Sequence, residues 1–155
     1  AMLDQYLQSL FNQNLLYQID EAIYFTHDRI QEAAYSLLSQ EEKENIHLAI
    51  ARLLQKKYGT LTNQKHIFKI LDQFNAAIGK ILEKNESLEL ARLNLQAAYK
   101  AKQAMAYSNA LNYIKMALKC LDEAYWWTEH YELVFTLHYE RARIAYALGN
   151  AEQVE

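Results

Sequence analysis

The sequence has no proline, only three glycines and a single cysteine in 155 residues. Average usage at this length would bring roughly 8 prolines and 11 glycines. Proline and glycine punctuate tight turns, so their scarcity argues against an all-β sandwich or barrel. Neither GxGxxG nor GxxxxGKS/T can be written with Gly59, Gly79 and Gly149, which excludes a glycine-rich phosphate loop. Collagen-like and low-complexity classes are excluded as well. The lone Cys120 excludes an internal disulfide and points to a reducing compartment, so the cytoplasm is expected. No run of 18 apolar residues is present to span a membrane, and no signal peptide opens the chain. An excess of one charge is lacking too. Sixteen basic and 19 acidic residues leave a net charge of −3, with no basic surplus for a nucleic-acid backbone.

Apolar residues make up 52% and charged residues 23%, enough apolar surface for a packed core. Leu3, Tyr6, Leu7, Leu10 and Phe11 have helical spacing over residues 3–12. The period then changes. Leu15 to Ile19 and Ala22 to Thr26 are β-prone runs around the acidic turn Asp20-Glu21, the one plausible hairpin. Everything after it reads as helix. Ile30, Ala33, Ala34, Leu37 and Leu38 line one face of a second helix. Ser39 and Glu42 form a capping box that starts a third. Its expected core face is Ile46, Ala49, Ile50, Leu53 and Leu54, and it stops near Tyr58-Gly59. A fourth helix carries Ile67, Ile70, Leu71, Phe74, Ile78, Ile81 and Leu82, with a break expected at Asn85-Glu86-Ser87.

The fifth helix, about residues 87–103, is apolar on two faces, the mark of an inner helix of a stack. Leu88, Ala91, Leu95 and Ala98 form one face; Leu90, Leu93, Ala97, Ala101 and Ala104 form the other. The sixth, about 107–121, has Tyr107, Ala110, Leu111, Ile114, Ala117, Leu118 and Leu121 on its core face. A seventh runs from about Glu129 to Leu148 and ends at Gly149-Asn150. Asn150 with Gln153 signals an eighth, inside which the sequence stops, so a piece of a longer protein is expected. The fifth and sixth helices fit the tetratricopeptide pattern, with Ala98, Ala110 and Ala117 where helices cross closely. The seventh resembles the start of another repeat, with Ala142 at its small position. The repeat-ending proline is absent, and a generic αα-hairpin bundle is the alternative.

Chemistry-bearing constellations are few. His27, His47, His66, His130 and His138 contain no HExxH pair, and one cysteine builds no thiolate site, so no metal is expected. GxSxG is missing. Glu41-Glu42 and Asp122-Glu123 read as helix-start carboxylates that favour the dipole. Cys120 reads as a small core hydrophobe, and Trp126-Trp127 as packing of an inter-helix link or as a peptide-binding surface. One segment is distinctive: Ile23-Tyr24-Phe25-Thr26-His27-Asp28-Arg29-Ile30 delivers a His-Asp pair from a strand end to a helix start. On spacing alone, His27 is a histidine at a capped helix start or a residue aimed outward to contact something.

The blocks FTHDRIQEAAYSLL, IHLAIARLL, LELARLNLQAAYKAKQAMAYSNALNYIKMAL and YELVFTLHYERARIAYALGN resemble one region of large bacterial signalling ATPases. There an AAA+/STAND-type module often lies between a serine/threonine kinase domain and a sensor histidine kinase. The resemblance covers about residues 15–155. It implies the end of a winged-helix domain followed by a tetratricopeptide-like arm, downstream of a nucleotide-binding core. Winged helices of related NTPase switches carry a Met-His-Asp motif whose histidine contacts the β-phosphate of ADP. Thr26-His27-Asp28 is similar, with threonine in place of methionine. The resemblance makes His27 the nucleotide sensor and Asp28 its structural neighbour.

The expected fold is therefore all-α, a tetratricopeptide-like α-α superhelix after a winged-helix remnant with one hairpin. Residues 1–58 would form the remnant and following helices, and 59–155 the arm, truncated at its C-terminus. The expected function is a regulatory and interaction segment of a multidomain signalling kinase/ATPase, not an enzyme on its own. No cofactor is expected in the segment itself; ATP or ADP with Mg would sit in the upstream domain. Expected partners are that upstream ATPase domain and a protein or peptide on the arm, with no nucleic acid and no membrane. A stand-alone peptide-binding scaffold, using Asn112, Lys115, Lys119 and aromatic residues on a concave surface, is the alternative. DNA binding through the winged helix is a third reading, disfavoured by the acidic balance.

Overall fold

The computed structural model describes residues 2–58, 66–81, 83–121 and 130–149. It is all-α with one short hairpin, as expected: α1 (Met2–Asn12), β1 (Leu16–Ile19), β2 (Ala22–Phe25), α2 (Asp28–Ser36), α3 (Gln40–Tyr58), α4 (Ile67–Ala76), a 3-10 turn (Ile78–Lys80), α5 (Lys84–Gln103), α6 (Tyr107–Lys119) and α7 (Tyr131–Ala147). Packing divides it into two compact units, Ala1–Lys43 and Glu44–Glu155. These differ from the sequence segments 1–58 and 59–155. Most of α3 packs with the second unit, because its Leu48, Ala51, Leu54 and Tyr58 share a cluster with α4 and α5.

The first unit is held by local hydrogen bonds. α1 ends in a Schellman motif: Leu15 N–H donates to the Leu10 carbonyl and Asn14 N–H to that of Phe11. Asn14 takes the left-handed conformation this requires, at φ 54°. Asparagine tolerates that region, so glycine is not needed there. β1 and β2 pair antiparallel with Ile19 opposite Ala22, leaving Asp20-Glu21 as the two-residue turn. Tyr17 and Tyr24, directly opposed, stack with centroids 5.4 Å apart. The expected capping box forms. Ser39 Oγ accepts from the Glu42 N–H at 3.2 Å, and the Glu42 carboxylate accepts from the Ser39 N–H at 2.8 Å. The expected core face of the second helix is not buried: Leu37 is 86% exposed.

The second unit has a true core. Ile67, Ile70, Leu71 and Phe74 of α4 are buried against Ala51 of α3 and Leu90, Leu93 and Ala97 of α5. The other side of α5, through Ala91, Ala98 and Ala101, packs on α6 and α7. α5 lies along most of α6, and α6 along α7, so helices consecutive in sequence are neighbours in space. Ala98, Ala110 and Ala117, expected at close crossings, are all buried. Among the described residues, two polar groups lie inside this core. Asn94 exchanges amide hydrogen bonds with Asn75 at 2.8 and 2.9 Å and also donates to the Leu90 carbonyl. Glu140 bonds Lys102 at 2.6 Å and Arg143 at 3.2 Å, tying α7 to α5.

Several sequence expectations are corrected. The expected α3 face is rotated: Ile46, Ala49, Ile50 and Leu53 are exposed, only Leu54 of that face packs against the core, and Ala51 is the residue buried. The expected fourth helix breaks early. Ala77 leaves helical geometry at φ −113°, ψ 20°, and the 3-10 turn follows. Asn85-Glu86-Ser87 is not a break but the first turn of α5. Glu86 sits there as the ion-pair partner of Arg52 on α3. Ala104 lies past the end of α5 and is exposed, and Ala101 belongs to the α6 side. On α7, Ala145 rather than Ala142 is fully buried. The Gly59 stop, Trp126-Trp127, Asp122-Glu123 and the eighth helix lie outside the described residues.

Candidate functional site

The His-Asp pair sits at the junction the spacing implied. His27 is the N-cap of α2, extended at φ −142° and ψ 144°. Its carbonyl accepts from Ile30 and Gln31, which starts the helix. Its side chain makes no capping bond, so the exposed ring is left for another contact. Asp28 opens the first turn, where its charge meets the positive end of the helix dipole. Thr26 anchors this corner. Its N–H donates to the Leu15 carbonyl and its hydroxyl to the Asn14 carbonyl at 2.7 Å. A methionine could not make the second bond, which gives the threonine a structural reason.

A groove of about 540 Å³ lies in the second unit between α4 and α6. Asp72, Asn75 and Ala76 form one wall; Asn109, Asn112, Tyr113 and Met116 form the other. Tyr113 donates to Asp72 at 2.8 Å across it. Burial, reinforced by that carboxylate, raises the Tyr113 phenol above its ordinary pKa, so it stays a donor. Asn109 and Asn112 are exposed and one turn apart, each offering a donor and an acceptor. Of the residues named for the arm, Asn112 lines the groove and Lys115 and Lys119 do not. The missed residues were legible as outward i, i+3, i+4 positions on two helices. Only packing brings those two helices side by side.

Cys120 packs against both core clusters, and burial pushes its thiol up to about 12. It is thus a neutral core group rather than a nucleophile. Among the described residues, no group of three or more His, Cys, Asp or Glu could hold a metal ion. Among them, too, no helix is long and apolar enough to cross a membrane.

No family model matches the chain, and no solved structure matches it. A curated relative does. The chain is similar to a signalling kinase. It is 34% identical over 153 residues to hybrid signal transduction histidine kinase G of Dictyostelium discoideum. The match covers 84% of this chain, and the chain spans only about 4% of that protein. The likeness to a signalling kinase that the resemblance implies is thus found, in a protein of a eukaryote rather than of a bacterium. Nothing in the comparison speaks for an AAA+/STAND ATPase.

Proposed function

We propose that the chain is a regulatory and interaction segment of a multidomain signalling protein with a histidine kinase, and is not itself an enzyme. The observation that carries this reading is the 34% identity to a small part of a much larger signal transduction histidine kinase. On this reading the segment works in the cytoplasm and couples its helical arm to a nucleotide-binding core upstream in the same polypeptide. The chain contains no phosphate loop, so ATP or ADP with Mg would belong to that core. His27 would touch the bound diphosphate. An imidazole N–H donating to a phosphate oxygen is a strong, charge-assisted contact. Asp28 already occupies the helix start, which leaves the phosphate contact to the His27 ring rather than to the first-turn N–H groups. Nucleotide on one side and an arm partner on the other would bias one two-state contact.

The test is a version of the protein extended through the upstream core. Its co-purified ADP is measured with and without His27→Ala. Loss of ADP in the variant is expected; unchanged retention sinks the sensor role. A second reading, an arm that binds peptides, is favoured by the α4–α6 groove. Its test is binding of a peptide library before and after Asn109→Ala and Asn112→Ala. Binding that survives both substitutions rules the groove out.

A further inference from the structure

α5 and α7 are each apolar on two faces. Both faces of α5 are covered, one within each core cluster. α7 has one face covered, through Val134, Leu137, Ile144 and Ala145. Its other face carries Tyr131, Phe135, Tyr139 and Tyr146, exposed by 48%, 58%, 53% and 81%. At helical geometry these rings and Ala142 fall within an arc of about 80°. Tyr131, Phe135 and Tyr139 form a column with centroids 6.1 and 6.3 Å apart. The Arg143 guanidinium closes it, 5.5 Å over the Tyr139 ring. Surface hydrophobes scattered singly need no explanation; a contiguous aromatic face marks an interaction site. The rings already hold one another, so docking would cost little further rotamer entropy.

The charges along one edge of this face identify the partner. Glu132 stands near the N-terminal end of α7, and Arg143 lies eleven residues on, three turns later. The two therefore share an edge and have opposite signs. A two-fold axis that pairs two helices antiparallel sets each edge against the same edge of the other copy, reversed end to end. Glu132 then meets Arg143 of the second copy, twice over, and Phe135 meets Tyr139. A parallel pairing would set this edge against the opposite flank and lose both ion pairs. Glu132 has no hydrogen-bond or ion-pair partner for its carboxylate among the described residues. Arg143 spends one contact on Glu140 and is 56% exposed, which leaves guanidinium donors for a second carboxylate. Rim charges of this kind fix orientation more than affinity.

We propose that this face of α7 is a self-complementary interface through which two copies of the chain pair with their α7 helices antiparallel. Light scattering after size exclusion should show the mass rise from one chain towards two across the micromolar range. Phe135→Glu should weaken the association about tenfold or more, since central aromatics dominate interfaces. Phe135 is exposed, so the far-UV spectrum of the variant should match the parent. Orientation is read by cross-linking in a Cys120→Ala background. Chains carrying Glu132→Cys, mixed with chains carrying Arg143→Cys, should form disulfide-linked dimers on mild oxidation, and Glu132→Cys chains alone should not. A single-chain mass at every concentration overturns the proposal and leaves the face to another helix, of a longer form of this protein or of a partner. A dimer indifferent to Phe135→Glu, or linked by Glu132→Cys alone, also overturns it.

Discussion

The two compact units spend the same kind of sequence differently. In Glu44–Glu155, apolar residues at helical spacing close over one another, and Ile67, Leu71, Phe74, Ile114 and Leu137 are at most 1% exposed. In Ala1–Lys43 the spacing is just as regular, yet none of the described residues is buried. Leu3, Tyr6, Ile19 and Leu37 are all more than half exposed. That unit is defined by a Schellman turn, a two-residue hairpin turn and a capping box, each closed within a few residues. The contrast separates two sources of order. Local hydrogen bonds shape backbone and cost little to form. A core needs apolar surface on at least two elements that face each other. Periodicity marks an apolar face and says nothing about what covers it.

The strongest way to break this comparison is to truncate one side chain in each unit. Phe74→Ala should cost about 3–5 kcal/mol in urea unfolding, because it empties a site between α3, α4 and α5. Leu37→Ala should cost less than about 0.5 kcal/mol in the same measurement, as for an exposed side chain. Equal costs would show that the first unit has a core of its own. Next in size are the buried polar groups. Lys102→Met leaves Glu140, 5% exposed, with Arg143 alone. It should cost about 2 kcal/mol once the partial exposure of Lys102 is allowed for. Asn94→Ala should cost a similar ~2 kcal/mol by leaving Asn75 without its reciprocal amide.

A smaller effect should have the opposite sign. Met105, just past α5, is held at φ 59° by Ala106 N–H donating to Ala101 and Met105 N–H to Lys102. This is the position glycine favours. Met105→Gly should therefore stabilise the second unit by up to about 1 kcal/mol. Asn14→Gly, at the matching site of the first unit, should be nearly neutral. The smallest effect concerns acid. Ser39 hydrogen bonds hold the Glu42 carboxyl below its ordinary value. A depressed carboxylate contributes stability above its unfolded pKa and loses it as pH falls through the folded one. The protection of amides at the start of α3, taken relative to their intrinsic exchange rate at each pH, should fall over that acid range. Ser39→Ala keeps the backbone N–H and removes only the hydroxyl, so it should weaken the pH dependence and move the Glu42 titration, followed by NMR, part of the way back towards the ordinary position.

Much of this was legible in single residues. Asp20-Glu21 between two β-prone runs placed the hairpin turn, and Ser39 with Glu42 placed the start of α3 to within a residue. The alanines of α5 and α6 foretold their close packing. The His27-Asp28 junction was legible as a strand end feeding a helix start. The face of α3 was legible only at Leu54, because Ile46, Ile50 and Leu53 compete with Leu48, Ala51 and Leu54 on one helix. Only the position of α4 and α5 selects the second set. The groove was half legible: Asn112 stood out, but Asp72, Asn75, Asn109 and Tyr113 come from helices that tertiary packing brings together.

Scarce glycine and absent proline, with apolar residues at a period near 3.6, were enough to make this chain helical with one hairpin. Backbone preference and short-range capping are local, so the sequence carries them directly. Which apolar stripes become core, which polar groups are buried in pairs, and which face of α7 stays open are decided by tertiary structure. Each depends on a neighbour distant in the chain, and one helix surface offers more apolar positions than its neighbours can cover.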